Sequence, residues 1–357
     1  MRAPTLLLLS GISLAPAGAF AETFCVGTSN ELQGALIVAS LNQESDTIRI
    51  RTGTYVTPSA DGFLFQPASG STAAEHGLTL SGGWSGACTR SSNDAYDTVL
   101  TANSAGPVMK LVLPTNEGWS VEVRGLTISG GNSPTGTGAL EINGGSAFGP
   151  LVEVERVRFH FNSGWSALHA KTGFVIHVLG CEFSSNQVSV TNGASAIFEQ
   201  GQFNPAYILN NTFTQNDAVQ QGFVGGIRLE NPFASPTHVV NNVFWGNDNV
   251  DLLVIGHAEP FSYNDYEVVS GSFGGTNNLQ VDPGFRDPDD YDFRLRADSP
   301  MRNSGDGATA NLPGRDLRGI LRPQESLFDR GAFEFLPSIF ADGFESGSVS
   351  AWDFSLP

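Results

Sequence analysis

The sequence predicts an all-β chain wound as a parallel β-helix, a solenoid closed at its start by a short helical cap, and two observations carry that expectation. One pattern returns five times between Val121 and Asp248, as VEVRGLTISGGN, VEVERVRFHFN, FVIHVLGCEFSSN, AYILNNTFTQN and HVVNNVFWGN. Its late apolar residue, Ile128, Phe159, Phe183, Phe213 and Phe244, recurs at intervals of 31, 24, 30 and 31 residues. A second period-two string lies between successive copies: GALEIN, SALHAK, SAIFEQ, GGIRLE and VDLLVI. Each repeat thus holds two short strands with Gly, Asn and Ser turns and no room for a helix. A unit this small cannot bury its own apolar face, so it must stack on a neighbour like itself.

The stacking makes positional predictions. Two residues before the mark lie Leu126, Val157, Cys181, Asn211 and Asn242, on the same side of the strand. Apolar side chains giving way to asparagines predict an amide ladder inside the coil. Asn162, Asn186, Asn216 and Asn247, three residues after the mark, are expected at sharp turns because Asn tolerates left-handed backbone.

From the start of the chain, residues 1–21 read as a secretory signal peptide: Arg2, a short apolar run, and Ala19 and Ala21 at the small-residue cleavage positions. The mature chain is expected to begin at Glu22. No later apolar run is long enough to cross a membrane. The formal net charge is -18, and losing Arg2 makes it one unit more negative. Such a balance excludes nucleic acid and anionic membrane surfaces as partners. Lys110 and Lys171 are the only lysines.

In an oxidising compartment, Cys25 and Cys88, both in irregular chain near the N-terminal end, are expected to pair. Cys181 falls on the inward column, where a thiol acts as a small apolar residue. Residues 22–120 read as a cap and irregular first coils. The cap has an amphipathic helix starting near Asn30, with Leu32, Ala35, Leu36 and Ala39 on one face, that covers the open solenoid end. Regular coils fill 121–266, and residues 267–335, dense in Pro, Asp and Arg, form a closing segment. Residues 336–357 are a polar tail with spaced aromatics.

The coils resemble secreted bacterial right-handed parallel β-helix proteins of the pectin-lyase-like superfamily. The closing segment resembles the choice-of-anchor Q domain in Asp282-Pro283, Phe285, Asp292-Phe293-Arg294-Leu295, Ser299-Pro300, Gly305-Asp306, Asp316, Arg322-Pro323 and Asp329 to Glu334, with Asn303 or Ser304 where that pattern has an acid. The tail around Phe340, Asp342, Gly343, Phe344, Glu345 and Trp352 is similar to C-terminal tails of secreted gammaproteobacterial proteins, which implies export or surface retention. The resemblance implies an extracellular protein acting on, or holding, a polysaccharide.

Candidate chemistry falls on the second string. Glu141, His169, Phe198, Arg228 and Val254 align in one outward column, with Asn143, Lys171, Gln200, Glu230 and Gly256 two residues on. With strands about 4.8 Å apart, these side chains form a continuous strip. In uronic-polysaccharide lyases of the superfamily a cation neutralises the carboxylate and a basic residue removes a proton, which would cast Lys171 or His169 as base and Arg228 as neutraliser. Glu141, Phe198, Glu230 and Trp165 would then bind substrate, and Trp245, also in a turn, could stack a sugar. Polar outward positions are equally what any solvated sheet face shows. The residue sets of pectate-lyase calcium sites, polygalacturonases and pectin methylesterases are absent. Glu141 and Glu230, three coils and about 14 Å apart, are too distant for a glycosidase pair. The turn Asp287, Asp289, Asp290 and Asp292 could hold calcium, the one cofactor the residue types suggest. His160, His177, His238 and His257 read as single, scattered histidines. The leading expectation is a non-catalytic polysaccharide-binding or adhesive scaffold, and the alternative is a polysaccharide lyase.

Overall fold

The computed structural model describes residues 21–336, apart from 43, 68–75, 103–105, 115–118, 135, 145–150, 173–174, 191, 202–205, 219–222, 232–236, 257–258 and 272. The segment expected to be a signal peptide, up to residue 20, and residues 337–357 lie outside the described residues. Within them the chain is a parallel β-helix built on two long sheets. The long sheet takes one strand from each turn, beginning with Thr23–Val26, Ser45–Arg51, His76–Trp84, Trp119–Ser129, Leu151–His160 and Val175–Leu179. An arm continues it around a corner through Glu182–Ser184, Thr212–Thr214 and Val243–Trp245. The opposite sheet stacks Met109–Leu113, Leu140–Gly144, Leu168–Thr172, Ile197–Gly201, Ile227–Asn231 and Leu252–Gly256. All these pairings are parallel. The first coils, expected to be irregular, are in register with the rest: His76–Trp84 pairs with both Ser45–Arg51 and Trp119–Ser129.

The marks stack as the spacing predicts. Ile128, Phe159, Phe183, Phe213 and Phe244 are mutual partners. The four phenylalanine rings lie nearly parallel, with centroids 4.6, 4.9 and 4.6 Å apart. Each such pair contributes about 0.5–1.5 kcal/mol beyond its buried area. The column two residues earlier is also inward, with Cys181 reduced and buried, and the amide ladder forms where expected. Asn211 Nδ2 donates to Asn242 Oδ1 at 2.9 Å, and Asn242 Nδ2 to Asn264 Oδ1 at 3.0 Å.

The asparagines after the mark are a correction. They do not occupy left-handed turns but form a second buried ladder, Asn162 to Asn186, Asn216 and Asn247, with amide contacts of 3.0, 3.0 and 2.8 Å. The left-handed residue at that corner is the one before: Gly130, Phe161, Ser185, Gln215 and Gly246. The other corner follows the same rule, with Gly125, Arg156, Gly180, Asn210 and Asn241 at positive φ immediately before the inward column. A left-handed residue swings the chain through the corner, which turns the next side chain inward. Peptide groups facing the coil interior at the corner have no strand partner, and the next amide supplies one.

The helix Ser29–Asn42 covers the first coil as expected, burying Leu32, Ala35, Leu36 and Ala39. Cys25 and Cys88 form a disulfide across 63 residues. That bond fits an oxidising compartment, and no helix among the described residues is long and apolar enough to cross a membrane.

The closing segment lies lengthwise along the outside of the coils rather than across an end. Its antiparallel hairpin, Phe285–Asp287 with Asp292–Leu295, buries Phe285, Phe293 and Leu295 with Ala95, Val243, Met301, Leu317, Ala332 and Phe333. The outward corner asparagines hold the strap: Asn210 Nδ2 donates to Asp329 O and Asn241 Nδ2 to Asp306 O. Beneath it Glu182, fully buried, accepts from Arg158 Nε and from the Tyr96 hydroxyl, both at 2.9 Å.

Replacing Asn211 with Ala removes the acceptor of the Cys181 N–H and the donor to Val178 O and Asn242 Oδ1. Each orphaned buried group costs about 1–3 kcal/mol. Chemical denaturation of Asn211→Ala should therefore lose about 3 kcal/mol or more, whereas the outward neighbour Asn210→Gly should lose less.

Candidate functional site

The register of the opposite sheet aligns Lys110, Glu141, His169, Phe198 and Arg228 in one outward column. In the last coil Leu253 stands opposite Arg228 and Ile255 opposite Glu230, not Val254 and Gly256. Burial of Leu252 and Val254 fixes this, because a one-residue slip would turn both outward.

The strip is a row of local pairs. Arg228 donates through Nε and Nη2 to Glu230 Oε1 at 2.8 and 2.6 Å. Glu141 lies 4.0 Å from Lys110 Nζ and accepts from Asn143 Nδ2. His169 is buried, its Nδ1 3.2 Å from Thr137 Oγ1 and its ring 5.6 Å from that of Trp165, which is 37% exposed. Burial, helped by Lys171, pushes the His169 imidazole down to about 4. Lys171 itself is exposed. The Phe198 side chain lies outside the described residues.

A second set of outward columns, on the long sheet, was hidden from the sequence reading. Six residues before each mark stand Glu122, Glu153, His177, Tyr207 and His238, and these are strand partners in series. His177 and His238 therefore flank Tyr207, with ring centroids 4.9 and 4.7 Å away, and are not isolated. Four before the mark come Arg124 and Glu155, also partners. The same mark that located the core locates these residues; the earlier half of the repeat had only to be read outward as well as inward.

Here charge is concentrated. Carboxylate oxygens of Glu122, Glu153 and Glu155 lie within 4.8 Å of one another. Arg124 Nη1 contacts Glu122 Oε1 at 2.5 Å, and Thr79 Oγ1 donates to Glu122 Oε2 at 3.3 Å. His177 Nδ1 lies 3.2 Å from Glu153 Oε2. Burial pushes the Glu155 carboxyl up, with Arg156, 3.5 Å away, pulling the other way. Three hard oxygen donors suit a divalent cation such as calcium, though Arg124 already offsets part of their charge. This is the only group of three or more potential ligands among the described residues. The Asp287–Asp292 turn forms none, and Asp292 is committed to Arg294 at 2.7 and 2.6 Å.

Beside the carboxylates opens a cleft of about 550 Å³ between the coils and the strap. Its lining includes Trp84, Arg124, Glu155 and Arg156 from the coils and Arg315 and Leu321 from the strap. Arg156 occupies a left-handed corner with φ of 52°, where the preceding and next three coils place Gly or Asn. A long side chain there costs about 1–2 kcal/mol. Its Nη1 donates to Asn93 O at 3.0 Å, while its buried Nε has no hydrogen-bond partner among the described residues. Arg49 lies over the Trp84 ring at 4.3 Å, and Trp84 Nε1 donates to Ser81 Oγ at 3.1 Å, which fixes the indole.

No protein-family model matches the chain, and no curated protein is similar to it.

Two buried histidines set a pH test. His169 is lowered to about 4 and His160 to about 3, in both cases chiefly by burial. Folded values below the ordinary 6.5 mean that the fold favours the neutral rings, so their contribution is present above pH 6.5 and is lost as pH falls through the folded values. NMR titration of the imidazoles should show both midpoints below 5, and His169→Gln should flatten the acid limb of the stability profile; midpoints near 6.5 would contradict the burial.

Proposed function

We propose that this protein is a secreted or surface-retained β-helix of the pectin-lyase-like type with a choice-of-anchor Q type strap, and that it binds an acidic polysaccharide without cleaving it. The observation that carries the reading is the cleft holding Arg124, Arg156 and Arg315 against Trp84 in a chain of net charge -18. A flat indole beside guanidinium groups matches a sugar ring bearing a carboxylate, the ring on the aromatic face and the anion on the arginines. Arg156 is the one arginine in a corner column otherwise made of Gly125, Gly180, Asn210 and Asn241, and its side chain lines the cleft. Support for export comes from the signal-like pattern of residues 1–21 and from the Cys25–Cys88 disulfide, which fits an oxidising compartment.

One observation favours polysaccharide lyase as a second reading. The His177 ring is oriented by Glu153, the arrangement of a general base, with Arg124 on the neighbouring column to neutralise a uronate. In this reading the base is His177 rather than Lys171 or His169.

Affinity electrophoresis against a panel of acidic and neutral polysaccharides separates these. Arg156→Asn, which keeps a left-handed-tolerant residue, should weaken retention on acidic polymers at least tenfold, about 1.4 kcal/mol, in a chain whose circular dichroism still shows the fold. Retention unchanged by Arg156→Asn but lost in Lys171→Ala would move the site to the opposite sheet and sink the reading. Chain shortening with new unsaturated ends, abolished by His177→Ala, would establish the lyase instead.

A further inference from the structure

A second cleft, of about 350 Å³, lies on the other flank of the strap, where the hairpin meets the arm of the long sheet. Trp245, half-buried, lies in it with Gln215 and Thr214 on the coil side. Phe285, Arg286, Asp287 and Arg296 line it from the hairpin. The hairpin is held rigidly over the coils: Gln215 Nε2 donates to Pro288 O at 2.9 Å, and Tyr291 packs against His160 and Phe161 with ring centroids 5.0 and 5.2 Å away. Arg286 is exposed and makes no hydrogen bond or ion pair with any described residue. Arg296 is also exposed and lies 3.4 Å from Asp298.

We infer that this cleft is a second binding site for an anionic saccharide, so that one chain engages two saccharide segments at once. The inference rests on the ligand class proposed above. It stands on its own residues, however, because no lining residue is common to the two clefts. Each offers an indole and at least two guanidinium groups, with Glu155 beside them in the first cleft and Asp282 and Asp287 in the second; a pyranose ring can lay its apolar C–H face on an indole while a pendant carboxylate pairs with a guanidinium. The sites lie on different strands: Ser81, Arg124 and Glu155 belong to the long sheet, Thr214 and Trp245 to the arm beyond the corner. A long polymer held at both would gain by effective concentration, and two polymers held by one protein would be cross-linked.

Calorimetric titration with a uronic-acid oligosaccharide too short to span both clefts tests this. The wild-type chain should bind two equivalents. Arg286→Glu, a charge reversal at an exposed residue of the cleft, should reduce the stoichiometry to one, as should Trp245→Ala. Arg156→Asn should also leave one equivalent, and the double variant Arg286→Glu, Arg156→Asn none. One equivalent in the wild type, unaffected by Arg286→Glu and lost in Arg156→Asn, would overturn the second site while leaving the first. One equivalent lost in Arg286→Glu and kept in Arg156→Asn would do the reverse, and no binding of any acidic oligosaccharide would overturn both.

Discussion

The structure depends on how each coil turns its corners. A corner exposes peptide groups to the coil interior that no strand pairs, and an unpaired buried peptide group costs about as much as a lost hydrogen bond. This chain turns these corners with a left-handed residue that swings the backbone round, followed, in the coils that carry Asn there, by an inward amide that caps the peptides and joins the next amide in line. The Asn-Asn dipeptides 210–211 and 241–242 show the division of labour. The first asparagine of each faces out and holds the strap, and the second faces in and carries the ladder. The two ladders and the phenylalanine stack between them fix the register of the coils they cross, from Phe159 to Asn264. That register in turn decides which outward residues become neighbours.

Both clefts follow from this geometry. Because each coil advances by one strand spacing, residues far apart in sequence, such as Thr79, Glu122, Glu153 and His177, are lined up at contact distance. The strap then lies along the corners and completes a wall on either flank, with Arg315 and Leu321 on one side and Phe285, Arg286 and Arg296 on the other. Its anchoring uses buried charge as well as apolar contact: Arg322 and Glu334 are paired at 3.0 Å out of solvent, with the Glu334 carboxyl pushed up to about 6 by burial. Such pairs add little net stability over apolar residues, but breaking one leaves an uncompensated charge, which makes the docked position of the strap specific.

The core was legible in the sequence because its signal is periodic. The five marks, the inward column before them and the helix face Leu32, Ala35, Leu36 and Ala39 were all read correctly from spacing alone, and the Cys25–Cys88 bond from position. Three things were not legible. Asparagine suits both a left-handed turn and an amide ladder, so Asn162, Asn186, Asn216 and Asn247 were placed by propensity at the turn, and only the three-dimensional demand for inward donors sends them inside. The long-sheet columns were overlooked for a different reason. Outward residues carry no periodic constraint, so Glu122, Glu153 and His177 differ from coil to coil and become a group only once register is known. The wall supplied by the strap, 159 residues from Arg156 at Arg315, has no local sequence signal at all.

Corner geometry sets where the Trp84 cleft can hold a ligand, and a crystal structure of residues 22–357 with an acidic oligosaccharide tests that most directly. Ligand density with a sugar ring on Trp84 and its carboxylate within hydrogen-bond distance of Arg156 is the predicted result. Density along the opposite sheet at His169, Lys171 and Arg228, with the Trp84 cleft holding only solvent, would contradict it.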